Sequence, residues 1–307
     1  MHIVVSGASG LIGSALVPHL TSKGYRVTRL VRRSAGPGEL SWDPATRTLN
    51  PAALEGIDGV VHLSGENVGA RWTSARKVRI RESRVASTRL LSETLAGLQR
   101  PPAVMVSVSA VGIYGNRGDE VLTETSPLGN PERDFLASVT RDWEKAAEPA
   151  RAENIRVVHP RLGVVLSPMG GALQKILLPF RLGLGGRLGS GRQWMSWVSI
   201  DDAVEALHLA LADGRLEGPV NVSAPKPVTN HDFTRTLARV LSRPAPFRVP
   251  EAALRLALGE MAGGTLLASA RVLPARLLEM GYRFAHPDLE SALRHVLAKD
   301  RPDNFPG

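Results

Sequence analysis

The chain opens Met-His-Ile-Val-Val-Ser-Gly-Ala-Ser-Gly-Leu-Ile-Gly, and no acidic residue occurs before Glu39. Ile3-Val4-Val5 is a run of β-formers suited to a strand buried on both faces. Gly7, Gly10 and Gly13 then follow as G-x-x-G-x-x-G, and Leu11, Ile12, Ala15, Leu16 and Leu20 recur at helical spacing. A strand, a glycine turn and a helix start in that order suit the diphosphate of a dinucleotide. The first glycine turns the chain, the next lets backbone approach the ligand, and the last lets helix and sheet pack closely. The helix end adds free N–H groups and a partial positive charge. An ordinary strand-to-helix turn would show the same glycines, so the context carries the weight.

The second strand reads Arg26-Val27-Thr28-Arg29-Leu30-Val31. A binder of the unphosphorylated coenzyme carries an acid at its end to accept the ribose hydroxyls. Here Arg32 and Arg33 stand in that place, and a guanidinium can hold a 2′-phosphate that a carboxylate would repel. The expected ligand is therefore NADP(H), with the two arginines free of any nearby anion.

Further along, Val60 to Leu63, Val104 to Ser109, Arg156 to His159 and Val220 to Val222 read as strands, with helices over about 73–98 and 135–150 between them. The alternation predicts an α/β doubly wound parallel sheet with ligands at the carboxyl ends of its strands. From about Gly170 the chain turns glycine- and arginine-rich, and after Pro225 it becomes mostly short helices broken by prolines. The expected division is 1–166 plus 196–221 for a nucleotide-binding domain and 167–195 plus 222–307 for a smaller, mostly helical, substrate-side lobe. The tail after Asp300 is expected to be loosely held.

The 307 residues suffice for that pair of units. No apolar run reaches the ~18–20 residues that span a bilayer, Met1 leads straight into a strand rather than a signal peptide, and cysteine is absent. A cytoplasmic protein without disulfides or thiol chemistry is expected. The net charge of +9 raises a nucleic-acid role. The densest basic stretch, Arg71 to Arg84, lacks interleaved aromatics and any zinc or helix-turn-helix pattern, so a solvated helix face is the plainer reading. The eight histidines show no metal-ligand spacing, and no metal is expected. Asp201 and Asp202 are read as helix caps.

Several longer runs are more specific than the glycines. They include Gly65-Glu66-Asn67, Arg71-Trp72, Ser109 to Gly115, Trp143-Glu144, Arg161 to Leu166, Pro179 to Gly186, Gly189 to Gln193, Trp197, Gly259-Glu260-Met261 and Gly281-Tyr282. With the glycine turn, they resemble the extended short-chain dehydrogenase/reductase superfamily over nearly the whole chain. Within it the chain is similar to the atypical branch called epimerase family proteins, with that branch's C-terminal domain of unknown function. The resemblance implies a Rossmann sheet of about seven strands holding NADP(H). It places cofactor contacts on Gly7, Gly10, Leu11, Ile12, Arg32, Leu63, Ser64, Gly65 and Arg84, with Leu162 beside the nicotinamide. Ser9, Gly13 and Arg33 belong to the same expected set.

Most of the superfamily uses Tyr-x-x-x-Lys, in which the lysine lowers the tyrosine pKa and the tyrosine moves the substrate proton. Four residues after Tyr25, Tyr114 and Tyr282 stand Arg29, Gly118 and His286, so the pair is missing; its two places fall at about Leu136 and Thr140. Three residues are candidates to replace it. Tyr114 is one, with a packed tyrosine as the alternative. Ser109 could bond a substrate oxygen or cap a turn, and Glu66 could serve as acid or base or merely hold its loop. Asn67, Arg71, Arg192 and Gln193 offer polar contacts to substrate, and Trp143, Trp194 and Trp197 could wall an apolar pocket or sit in the core. The two functions in view are an NADP(H)-dependent oxidoreductase or epimerase acting on a small carbonyl or hydroxyl compound, sugar-like ones included, and a non-catalytic NADP(H) sensor or scaffold. A homodimer is one assembly in view, and the sequence leaves the oligomeric state open.

Overall fold

The computed structural model describes residues 1–298; the tail after Asp300 lies outside the described residues. β1 (His2–Ser6) passes through the glycine turn into α1 (Leu11–Ser22) and β2 (Arg26–Val31). β3 (Glu39–Asp43), β4 (Thr48–Leu49), β5 (Gly59–His62), α2 (Ser74–Ala96), β6 (Val104–Ser107) and β7 (Ser109–Ala110) follow. Next come β8 (Val121–Leu122), α3 (Phe135–Lys145), α4 (Glu148–Ala152), β9 (Arg156–Leu162), β10 (Val164–Leu166) and α5 (Gly171–Arg181). β11 (Gly186–Leu188), β12 (Trp194–Met195), β13 (Trp197–Ser199), α6 (Ile200–Ala212) and β14 (Gly218–Val222) lead to the C-terminal part. That part holds β15 (Val228–Thr229), α7 (Asn230–Leu241), β16 (Phe247–Val249), α8 (Glu251–Leu258), β17 (Arg271–Val272), α9 (Ala275–Glu279) and α10 (Leu289–Ala298).

The main sheet runs β14-β9-β6-β5-β1-β2-β3-β4. From β14 to β3 its seven strands are parallel, with β4 antiparallel at one edge and β7 set beside β9. This is the doubly wound Rossmann order that the strand–helix alternation and the resemblance predict. The alternation along each central strand feeds two cores. Ile3, Val5, Val61, Val104, Val106 and Val158 join one core with α1 and α6, while Val4, Val60, Met105 and Val157 join the other with α2 and α4. A strand with no solvent face must be apolar on both sides, and the valines satisfy that.

Two differences from the sequence reading have clear causes. The helix expected over 135–150 is split into α3 and α4 because Pro149 cannot continue the first helix and instead sits in the opening turn of the second. β3, Glu-Leu-Ser-Trp-Asp, has no β-former run and is recruited by pairing: Leu30 stands against Leu40, and Trp42 is buried beyond it. Tertiary context overrides propensity here.

A third core joins α5, α7 and α10 to β10 and β13 through Leu173, Leu177, Phe180, Trp197, Phe233 and Leu293. Trp197 is fully buried and donates its indole N–H to the Lys226 carbonyl at 3.1 Å. It is a core residue, which corrects its place as a pocket wall. Ser199, not Asp201 or Asp202, caps α6: its hydroxyl accepts from Asp202 N at 3.0 Å and donates to the Asp202 carboxylate at 2.7 Å. The Asp202 carboxylate also accepts from Ala285 N and His286 N at 2.7 and 3.1 Å, tying the approach to α10 onto α6.

Trp197→Ala is expected to cost about 3–5 kcal/mol of unfolding free energy, the range for emptying a large buried aromatic site. Trp194→Ala, at a half-buried position, is expected to cost clearly less. Urea denaturation of both variants checks the ordering, and equal losses would count against the placement of Trp197 in the core.

Candidate functional site

The register of the parallel ladder brings the strand ends level: Ser6 stands beside Leu30 on one side and His62 on the other, and His62 beside Ser107. The loops leaving β1, β2, β5 and β7 therefore rise from one edge of the sheet. Gly7 has φ +68°, and a Cβ there would lie 2.8 Å from the Leu63 carbonyl carbon and 3.0 Å from Ser64 N. A Cβ on Gly13 would run into the Gly7 carbonyl and Ala8. Each side chain would thus collide with backbone, so these positions require glycine. Gly10 is the N-cap of α1 and offers no side-chain bond to its first N–H groups, which leaves those donors facing outward. Ser9 is exposed in the same turn.

From that turn a continuous strip of surface extends along the edge. Gly65 lies under the Arg84 guanidinium, where a Cβ would meet Cζ at 3.0 Å. Arg84 in turn lies over the Trp143 ring at 5.1 Å and donates to the Ile80 carbonyl at 3.0 Å. Burial pushes its pKa down to about 10, still a cation at neutral pH. On the other side Leu11 and Ile12 start α1, and Leu11 packs beneath Gly170 and Gly171, where added Cβ atoms would touch it at 3.1 Å. Leu162 ends β9 beside Ala110 and Val222. Leu63, Ser64 and Gly65 are thus brought to the glycine turn from some fifty residues away.

Arg32 and Arg33 differ. Arg33 is engaged by the Glu39 carboxylate through two bonds of 2.7 and 2.8 Å, and Arg29 approaches the same group at 3.2 Å. Hydrogen bonding to Arg33, and to the Gly36 N–H, holds the Glu39 pKa down to about 2. The view that no anion lies near the arginine pair is therefore corrected: the β2–β3 pairing brings Glu39 back onto Arg33. Arg32 is exposed, and no ion pair to it occurs among the described residues.

Two of the three acid/base candidates are consumed by a buried polar network. Ser109 Oγ donates to Glu144 Oε1 at 2.6 Å, and the Arg161 guanidinium grips both Glu144 oxygens at 2.8 Å. Arg161 also donates to the Tyr114 hydroxyl at 3.0 Å, which donates to Asn221 Oδ1 at 2.7 Å. Burial tends to raise the Glu144 carboxyl, but the bonds and charge of Arg161 outweigh it and hold it below the usual range. Burial pushes the Tyr114 phenol up, and the side chain is fully enclosed. Tyr114 and Ser109 are thus members of a buried network, which for Tyr114 is the packed alternative given above. Leu136 and Thr140, at the places of the missing pair, are respectively half-buried against Gly112 and buried. Glu66 stays half-exposed in the β5 loop, 3.6 Å from Arg76.

The residues expected around a substrate do not form one group. Asn67 Oδ1 accepts from Gly69 N at 2.7 Å, and Lys175 on α5 donates to the Gly69 carbonyl at 2.6 Å, so this loop is tied across to α5. Arg71 donates to the Leu256 carbonyl at 3.3 Å. Trp143 is buried beneath Arg84. Gln193 is also buried and spends its amide on the Leu188 and Leu266 carbonyls at 3.1 and 3.0 Å, a correction to its role as a substrate donor. Arg192 and Trp194 line a separate hollow of about 520 Å³ with Arg187, His231 and Asp232, and no residue of the glycine turn lines it. Much of the basic stretch is engaged in surface ion pairs within the chain: Lys77 pairs with Glu260 at 2.9 Å, Arg81 with Asp142, and Arg76 with Glu66.

Sequence reasoning missed the Glu144–Arg161 pair and Asn221. A signal was present, because Arg161 stands as a charge in the mostly apolar run from Val157 to Leu166, which otherwise departs from that character mainly at His159. A charge there demands a partner. His62 was missed as well: it is enclosed between Ser6 Oγ at 2.6 Å and Ser87 Oγ at 3.2 Å, and burial pushes its pKa down to about 3.

Two outcomes follow from these buried groups. Arg161→Met leaves the Glu144 carboxylate buried without its cation and is expected to cost about 3–5 kcal/mol in denaturant unfolding, with Glu144→Gln/Arg161→Met partly restoring stability. His62 binds a proton more weakly folded than unfolded, so its contribution is intact above its unfolded pKa of about 6.5 and is lost as pH falls from there toward 3. Stability measured from pH 7 to 4.5 should fall more steeply in the native protein than in His62→Asn.

Known proteins match this arrangement over nearly the whole chain. The model of the NAD dependent epimerase/dehydratase family matches residues 3–223, and a domain of unknown function, DUF1731, matches residues 249–296. The Epimerase family protein Mb2239 of Mycobacterium bovis is 43% identical over 299 residues, 97% of this chain and 98% of that protein. A crystal structure of human epimerase family protein SDR39U1 (isoform 2) with NADPH superposes with a TM-score of 0.89 at 34% identity, covering 97% of this chain and 99% of that one. A structure described as a nucleoside-diphosphate sugar epimerase from Corynebacterium glutamicum gives 0.80 at 38% identity, covering 97% of this chain and 58% of that one. With its glycine turn, its seven parallel strands and its C-terminal DUF1731 segment, the chain belongs to the NAD-dependent epimerase/dehydratase family, among the epimerase family proteins.

Proposed function

We propose that this protein binds NADP(H) along the carboxyl edge of its sheet and uses it to oxidise, reduce or epimerise a small carbonyl or hydroxyl compound in the cytoplasm. The observation that carries the reading is the run of contacts from the glycine turn to Arg84, together with an exposed Arg32 at the end of β2 that makes no direct ion pair among the described residues, although its charge reaches the Asp43 carboxylate. The human relative crystallised with NADPH, similar over nearly its full length, supports the same nucleotide.

In this reading the N–H groups opening α1 hold the diphosphate, and Gly7, Gly10 and Gly13 give it room against backbone. Arg32 holds the adenosine phosphate, while Arg33 fixes the β2–β3 turn through Glu39. Arg84 supplies a partly desolvated cation beside the Gly65 loop, where a negative charge is well stabilised. The nicotinamide supplies or accepts hydride when bound. Proton movement falls to Glu66, with water, because Tyr114 and Ser109 are enclosed.

That enclosure also favours a second reading, a nucleotide-binding protein that turns nothing over. Stereospecifically deuterated NADPH, incubated with a panel of carbonyl compounds, separates the two: label transfer to any member supports catalysis, whereas tight binding without transfer supports the sensor.

The electrostatic part is tested by calorimetry. A charge-assisted bond to a phosphate is worth about 1.5–3 kcal/mol, so Arg32→Ser should weaken NADPH binding by roughly ten- to a hundredfold and leave NADH nearly unchanged. Arg33→Gln should cost less, since its guanidinium is engaged with Glu39. Equal loss in both variants, or native protein that prefers NADH, overturns the assignment.

A further inference from the structure

Histidines that lie far apart in sequence meet on the face of the sheet carrying α1 and α6. His19 stands on α1, and Glu205 and His208 stand one turn apart on α6, whose side chains share a core with those of α1. Glu205 Oε2 lies 3.1 Å from His19 Nε2, and Oε1 lies 3.3 Å from His208 Nδ1. One ligating atom from each residue falls within 4.8 Å of the other two. We propose that His19, Glu205 and His208 form a binding site for a divalent transition ion of the zinc class, which would join α1 to α6.

Three features distinguish the cluster from a chance surface ion pair. His19 Nε2 is buried and, although close to Glu205, makes no well-directed hydrogen bond. In the tautomer with its hydrogen on Nδ1, the Nε2 lone pair is uncommitted. The Tyr25 hydroxyl lies 3.1 Å from His208 Nε2, so one ring nitrogen of His208 is held from outside while Nδ1 faces Glu205. A hydrogen bond on the far nitrogen is what orients a metal-binding imidazole. Finally, two nitrogens and one carboxylate oxygen are a donor set that suits zinc, with the fourth position left to water. Tetrahedral bonds of about 2.1 Å set the ligand atoms about 3.4 Å apart, a contraction within reach of side-chain rotation.

A second group, Asp201, His286 and His295, meets the same distance limit. Its two imidazoles stack 4.2 Å apart with 30° between their planes. Ring lone pairs lie in the ring plane, so stacked rings direct them side by side rather than at one ion. It serves as the internal control.

The test uses untagged, chelator-treated full-length protein titrated with zinc chloride by calorimetry, with circular dichroism confirming that each variant folds. The expected result is one zinc per chain, bound at micromolar concentration or tighter, with a raised thermal midpoint. Affinity should fall at least about tenfold in His19→Gln and in His208→Gln, and about tenfold or more in Tyr25→Phe, the range for loss of a supporting contact. His295→Gln should bind as the native chain does. Absence of saturable uptake overturns the site, as does uptake that survives both His19→Gln and His208→Gln or is lost in His295→Gln. Should a histidine variant fail to fold, Glu205→Gln and Tyr25→Phe carry the same comparison.

Discussion

The closest approach of backbone to backbone at the start of the chain governs the rest of the structure. Gly13 sits against the Gly7 carbonyl, and Gly7 sits against the peptide joining Leu63 to Ser64. No side chain fits at either point, so α1 leaves the sheet at a fixed place and angle with its N–H groups turned outward. The loop after β5 is pressed against the same turn and continues as Gly65 under Arg84. An anion-binding helix end and a partly desolvated cation are thereby placed on one edge by packing alone, before any ligand contributes energy.

The second determinant is polar and buried. The carboxylate of Glu144 and the guanidinium of Arg161 satisfy each other in two parallel bonds, and their remaining capacity goes to Ser109 and Tyr114, with Asn221 closing the chain. Such a network gains little net stability over apolar packing but is costly to break at any one member. It joins β7, α3, β9 and β14 into one unit. It also engages Ser109 and Tyr114, while the tyrosine and lysine of the wider superfamily are replaced by Leu136 and Thr140, so that superfamily's acid/base chemistry cannot simply be carried over.

Polar capacity is spent in the same way farther from the sheet edge. Gln193 bridges the Leu188 and Leu266 carbonyls, Trp197 fills the third core, and Asp202 holds the approach to α10. Residues that look like ligand contacts in the glycine- and arginine-rich stretch therefore divide into those that build the C-terminal part and those, Arg192 and Trp194, that line a hollow of their own.

The sequence alone determined the β1–turn–α1 unit and the parallel sheet, whereas Leu63, Ser64, Gly65 and Arg84 entered the expected strip through the family resemblance. Those features are local or periodic: glycines where no Cβ fits, valines where a strand has no wet face, a helix start next to both. Tertiary structure alone decided what depends on residues far apart in the chain. It set Glu39 on Arg33, enclosed Tyr114 and Ser109 with Arg161, split the tryptophans between core and surface, and brought His19 to Glu205 and His208. Each of these is a question of which charge or lone pair meets which partner. The answer lies in the register of parallel strands and the packing of one helix on another, which no spacing along the chain records.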